Sequence, residues 1–368
     1  MVETLAAPTR QTVRDLLLPF RTPRPAMALA VLTLDLAVYA ASWLGMVSGA
    51  GLGWQLALGV VNAVAIARLF VLGHDACHGS LFRRGWANQI AGRAAFLPSL
   101  TPYSTWELGH NTLHHGFTNL RGKDYVYAPL TKAAYVALPR WRQQVERIYR
   151  HPLGPGLCYA VEVWWKRLWF PQPGAVEPYH RRFFFDSLGT AGLLAAQCAA
   201  TLAAAEWTGQ NPLLLTLTAV VVPQVLWNAI MGLVTFQHHT HPDVAWFDDR
   251  KQWDPLAAQV ENTVHVEFPW LAGKLLGNIM EHTAHHVDVK IPLFRLEEAQ
   301  KELERHLPGQ VPVQRWSWRS YAENCRRCQL YDYEKRRWLD FDGNYTGDAF
   351  NGRGKECRPS EAGTNRAT

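Results

Sequence analysis

Charge is missing from four long stretches of this 368-residue sequence. Residues 26–47 are apolar except for Asp35, and residues 54–72 are apolar except for Arg68. Residues 188–205 and 213–236 contain no charged side chain. Each run can cross about 30 Å of hydrocarbon at about 1.5 Å per helical residue. Soluble core helices are rarely this long, this uncharged and joined in pairs by short turns. A mean hydropathy of −0.14 hides these runs, because it averages them with segments rich in Arg, Trp and His.

Lysine and arginine are absent from residues 48–53 and 206–212, the turns within each pair of runs. Nearly all the basic residues lie in the N-terminal segment, in 74–183 and after 236. The positive-inside rule therefore places both termini and the long middle segment in the cytoplasm. Cysteine is scarce, and the six present show no disulfide framework, in keeping with reduced thiols. Cys325 and Cys328 form a lone C-x-x-C with no second pair, which is not expected to bind zinc or to act in redox chemistry. No cleavable signal peptide is apparent. The excess charge of +6 is dispersed, and no nucleic-acid motif occurs.

Histidine is what the sequence has in concentration. Of 15 histidines, 11 fall in four short stretches. These are His74 and His78; His110, His114 and His115; His238, His239 and His241; and His282, His285 and His286. On the orientation above, every cluster lies on the cytoplasmic side, and two begin where apolar runs end. His74 and His78 stand at i, i+4, and His282, His285 and His286 form one helical stripe. His115 is turned by about 140° from His110 on an ideal helix, so either it serves another metal or the helix is irregular there. His151, His180, His265 and His306 read as ordinary surface or core residues.

Neutral imidazole suits zinc, copper, iron and nickel. One zinc site takes three or four ligands, so eight or nine histidines over-supply one metal and suit two. A pair of irons can activate dioxygen, whereas redox-inert zinc cannot. In the fourth cluster the ligand stays open among His238, His239 and His241. Histidine ligands are usually oriented through their second nitrogen. Asp75, Glu107, Glu261, Glu281 and Asp288 lie near enough in sequence to do this.

The expected organisation is an all-α integral membrane protein. Four transmembrane helices form two hairpins, and a cytosolic helical cap carries a histidine-rich di-metal site. Residues 1–25 form a cytosolic lead-in with a short amphipathic piece over 13–20, and 26–73 the first hairpin. Residues 74–183 are cytosolic and interfacial, with 145–170 expected as a helix lying at the membrane surface. The segment 90–100 is too short to span. The second hairpin is 184–236. The cap is 237–350, with an amphipathic helix at 296–307, and 351–368 reads as a disordered tail.

The sequence resembles the membrane-bound fatty acid desaturases, in their acyl-lipid delta-12 (omega-6) branch, over roughly residues 30–340. The likeness rests on His74-Asp75-x-x-His78, on His110…His114-His115 with Thr118-Asn119 and Asp124, and on His282-x-x-His285-His286. It extends to His238-His239-Thr240-x-Pro242, Ile291-Pro292-Leu293, Leu296 and Cys328-x-Leu330-Tyr331-Asp332. The second box departs from it, with three residues between His110 and His114 where that branch more often has two.

The resemblance implies a di-iron centre held by these histidines, with His239 as the ninth ligand. It implies dioxygen as co-substrate and a membrane-lipid acyl chain as substrate. With no donor domain fused, the electrons are expected from a separate ferredoxin- or cytochrome-type protein. The location expected is a bacterial inner membrane. Hydroxylases, ketolases and conjugases share the scaffold and are the alternative outcome. A histidine-rich metal transporter would need ionisable residues along its spans, which hold only Asp35 and Arg68.

Overall fold

The computed structural model describes residues 9–49, 51–124, 126, 128–170 and 181–350. The chain is mostly helical. Helix α1 (Arg10–Leu17) opens where the Thr9 side chain accepts from the Thr12 amide, and it leads through a single tight turn to Phe20. Two long helices follow, α2 (Pro25–Val47) and α3 (Leu52–His78). Then come α4 (Gly85–Phe96) and α5 (Tyr103–Glu107), the latter continuing as a π-helix over Leu108–His114. Helices α6 (Lys132–Ala137), α7 (Arg140–Arg150) and α8 (Pro155–Cys158) lead into a second π-helical stretch, Tyr159–Trp169. Next are α9 (Arg181–Thr208) and α10 (Pro212–Thr216), which passes through π-helical Leu217–Val221 into α11 (Val222–His239).

The remainder carries the short helices α12 (Pro255–Val260), α13 (Trp270–Leu275) and α14 (His282–Val287), then α15 (Leu296–His306) and α16 (Trp318–Arg327). Strand β1 (His265–Glu267) pairs in parallel with β2 (Val313–Arg315), and β3 (Leu330–Asp332) pairs antiparallel with β4 (Arg337–Leu339).

Four helical segments are long and apolar enough to cross a membrane: Pro25–Val47, Leu52–His78, Arg181–Thr208 and Pro212–His239. Their outward faces carry exposed Leu29, Leu34, Trp54, Leu188 and Trp207, surface that suits lipid rather than water. Two pairs of polar side chains meet inside this apolar body. Arg68 Nε donates to Asp35 Oδ1 at 2.9 Å, and Asn62 donates to Ser42 Oγ at 2.8 Å.

Each of α3 and α11 ends in histidines, and the two helices pack against each other. Their C-terminal ends thus meet at one place. Gly79, at φ +68, stops α3 in the left-handed conformation that only glycine adopts readily, and its amide donates to the Ala76 carbonyl at 2.9 Å. Below the histidines, Phe70, Phe96, Trp106, Tyr159 and Trp227 form a buried aromatic floor. Phe70 stacks on Phe96 at 4.8 Å between ring centres.

The segment 145–170 is not one helix. It breaks at residues 151–154 between α7 and α8, because Pro152 and Pro155 withhold amide donors that a continuous helix needs. The amphipathic piece begins at Arg10, three residues before the expected start, because Thr9 supplies the cap. Leu296–His306 is helical as expected. Expectations for the tail after residue 350, and for His180, lie outside the described residues.

Helices α8 and α11 cross closely at two glycines. A Cβ on Gly232 would meet the Pro155 carbonyl oxygen at 2.3 Å, and one on Gly156 would meet Ala229 Cα at 2.6 Å. Gly232→Ala is therefore expected to lower stability by about 1–3 kcal/mol, the usual cost of overpacking, read as a lower melting temperature in detergent. Gly189→Ala in α9, where an added Cβ meets nothing within 4 Å, is expected to leave the melting temperature unchanged or raise it.

Candidate metal centre

Nine histidines converge in two groups. His74 and His78 from α3, His110 and His115 from the π-helical turn, and His285 from α14 make the first. His114, His239, His282 and His286 make the second. Within each group, one ring nitrogen from every residue lies within 4.8 Å of the others, and each group could hold a metal ion.

The π-helix explains His115. Its amide donates to the His110 carbonyl at 3.0 Å, an i→i+5 bond that stacks residues five apart on one face. His110 and His115 therefore enter the same group, their Nε2 atoms 2.9 Å apart. His114 is turned to the other group. On α14, His282 and His286 serve one group and His285 the other, so this single helix divides its stripe between both.

The nitrogen spacings test whether a metal fits. His239 and His286 each bring Nε2 close to His282 Nε2, at 3.1 and 2.9 Å, and His285 Nε2 lies 3.2 Å from His115 Nε2. Neighbouring ligands bound at right angles to one ion at about 2.0–2.1 Å stand about 3 Å apart. The buried Nε2 atoms of His74 and His78 have no hydrogen-bond partner among the described residues. Burial, followed by neighbouring imidazoles, holds His110, His115, His282, His285 and His286 well below the usual histidine range. Burial thus favours the neutral form of these five rings, the form whose lone pair can bind a cation.

Second nitrogens are oriented by specific partners. His74 Nδ1 donates to Asp75 Oδ1 at 3.1 Å, and the Asp75 carboxylate is fixed by the Leu293 amide at 2.6 Å. His114 Nδ1 donates to Asp124 Oδ1 at 2.8 Å, and Asp124 accepts from the Asn119 amide at 2.7 Å. His286 Nδ1 donates to the Thr118 hydroxyl at 3.2 Å. The indole of Trp106 stacks on His110 at 4.1 Å.

Two of the carboxylates proposed from sequence proximity have other partners. Glu107 accepts from Gln89 and Arg182, each at 3.1 Å, on the outer side of α5. Asp288 accepts from Arg21 and from the Lys290 amide. Glu261 is buried at the end of α12. Glu281 borders a side cavity, its carboxyl pushed up to about 7 by burial. In the fourth cluster only His239 joins a group. His238 stacks on His282 at 3.6 Å, while His241 Nδ1 accepts from the Asp243 amide. Cys325 and Cys328 are buried free thiols, that of Cys325 raised to about 12 by burial.

Comparison with known families agrees with this geometry. The fatty acid desaturase family model matches residues 50–318. The chain belongs to the fatty acid desaturase family. The family is one of metal-dependent oxidoreductases, and the four apolar helices mark this member as a membrane protein. Among relatives, the sn-1 oleoyl-lipid 12-desaturase of Picosynechococcus is 28% identical over 287 residues, covering 76% of this chain and 78% of that protein. That of Anabaena variabilis is 25% identical over 299 residues, covering 76% and 81%. The chloroplastic omega-6 fatty acid desaturase of Glycine max is 28% identical over 283 residues, covering 75% of this chain and 62% of the longer plant protein.

The partner assignments lead to contrasting outcomes. Asp124→Ala is expected to weaken metal retention by about 10–100-fold, the usual effect of losing a carboxylate behind a ligating histidine. Glu107→Gln is expected to leave it unchanged. Metal content after dialysis against graded chelator distinguishes the two.

Proposed function

We propose that the chain is an oxygen-dependent acyl-lipid desaturase that places a cis double bond at the delta-12 (omega-6) position of membrane-lipid acyl chains. The observation that carries this reading is the pair of histidine groups lying directly above an apolar cavity. Phe70, Trp106, Tyr159, Val163, Met231 and Ile279 line that cavity together with five of the nine histidines. The regiochemistry follows the printed activities of the relatives, oleoyl-lipid 12-desaturases and omega-6 desaturases.

In this reading the first group, His74, His78, His110, His115 and His285, holds one iron, and His114, His239, His282 and His286 hold the other. The two irons supply the dioxygen activation needed to oxidise an unactivated CH₂ pair. The protein's own part is placement. The aromatic floor excludes water and fixes which carbons lie under the histidines. Asp75, Asp124 and Thr118 hold their rings so that Nε2 points inward. No side-chain nucleophile is required.

The same reading extends to topology. The helices pair as two transmembrane hairpins, 26–73 and 184–236, with 74–183 and 237–350 forming the cytosolic cap. Both termini and the histidines face the cytoplasm of a bacterial inner membrane. Support comes from the turns 48–53 and 206–212, which lack Lys and Arg. Electrons come from a separate ferredoxin- or cytochrome-type protein.

Expression in a host making only saturated and monounsaturated acyl chains is expected to yield a new diene on fatty-acid analysis. An oxygenated fatty acid instead would assign hydroxylase chemistry. His285→Ala is expected to abolish the product while the protein remains inserted in the membrane, and retained desaturation in that variant would sink the proposal.

A further inference from the structure

A hydrogen-bonded chain links the second histidine group to the surface. His286 Nδ1 donates to the Thr118 hydroxyl, which itself donates to the His114 carbonyl at 2.9 Å. The Thr118 carbonyl accepts from the Trp253 indole Nε1 at 2.8 Å. Trp253 lies in the loop before α12, 9% exposed, between exposed Gln252 and Asp254, so it stands just beneath the surface. The metal-holding geometry has no need of this side chain.

Guanidinium groups surround it. Arg250 lies over Phe117 at 5.2 Å and over Trp253 at 5.8 Å. Arg336 lies over Phe247 at 5.4 Å and donates to Gln252 Oε1. Arg121 lies over Tyr333 at 4.9 Å. Lys123 and Lys251 are exposed nearby in sequence. Elsewhere on the cap, arginines such as Arg305 and Arg326 pair with neighbouring glutamates. These three are held by aromatic faces, and among the described residues none has a carboxylate in ion-pair range, so N–H groups beyond the one that Arg336 gives to Gln252 can meet acceptors from outside. The same loop carries exposed Asp248, Asp249 and Asp254, so that with Arg121, Lys123, Arg250, Lys251 and Arg336 the face keeps an excess of two positive charges among these residues.

We infer that this face, centred on Trp253 and bearing Arg121, Arg250 and Arg336, is where the reductant docks. Its occupant is a one-electron carrier protein with an acidic rim around its redox centre, and electrons enter through Trp253, Thr118 and His286. The inference rests on the functional reading above, in which a separate protein supplies the electrons. The balance is closed. Two reduced carriers each give up one electron, the acyl chain loses two hydrogens with their electrons, and two protons come from solvent. Dioxygen takes all four electrons and leaves as two waters. Opposite charge on carrier and face steers encounter and sets salt dependence.

The test uses the full chain in nanodiscs with an acidic [2Fe–2S] ferredoxin as probe. Direct binding of oxidised ferredoxin, without turnover, is expected to weaken about tenfold in the Arg250→Glu, Arg336→Glu double variant and to weaken with added salt in the native chain. The Lys301→Glu, Arg305→Glu double variant, the same charge change on α15 beside Glu297 and Glu302, is expected to bind as the native chain does. The route is read from the ratio of ferredoxin-driven to viologen-driven desaturation on each variant, which is expected to fall for Trp253→Phe while its ferredoxin affinity holds. Unchanged binding in the double variant overturns the surface, and an unchanged ratio in Trp253→Phe overturns the route. If the native chain makes no diene with either reductant, it is the functional reading that fails.

Discussion

Nine imidazoles packed nitrogen to nitrogen inside a protein are held there by a single constraint. Protonated rings at these spacings would repel, and burial pushes His110, His115, His282, His285 and His286 well below the usual histidine range, towards the neutral form. The nitrogen pairs at about 3 Å, His282 with His286 and His110 with His115, are spaced as neighbouring ligands of one ion are. The chamber makes physical sense as two metal sites, and the rest of the architecture serves to assemble it.

Assembly uses helix ends. The C-terminal turns of α3 and α11 bring His74, His78 and His239 to one level, and Gly79 stops α3 where its histidines are needed. The π-helical stretch after α5 shifts the angular step so that neighbours His114 and His115 face different groups. Helix α14 is short, yet it supplies both groups because i, i+3 and i+4 straddle the boundary between them. Apolar helices anchor the chamber from one side, while Asp75, Asp124 and Thr118 brace its rings from the other. The Gly156–Gly232 crossing beside the cavity shows how closely the supporting wall is packed.

Much of this was legible in the sequence, for identifiable reasons. Apolar runs and i, i+4 histidine pairs are local patterns, and local patterns survive folding. His115 was ambiguous because a π-helix has no simple sequence signature and ideal helical spacing points the ring elsewhere. Asp124 escaped notice as a histidine partner because it is ten residues from His114 and returns through a turn at Asn119, which has φ +59. Thr118 and His286 are 168 residues apart and meet only in the folded chain. Glu107 and Asp288 were attractive by proximity, but arginines reached them first. The break at 151–154 turned on Pro152 and Pro155, residues visible in the sequence but outweighed there by the surrounding aromatic and basic pattern.

The central claim is that the two histidine groups hold two irons. Its most direct test is metal analysis with Mössbauer spectroscopy on the full chain, purified anaerobically from cells supplied with both iron and zinc. Two irons per chain, in histidine-rich environments that differ slightly between the five-residue and the four-residue group, is the expected result. A single metal per chain, or zinc in either group of an active preparation, would contradict it.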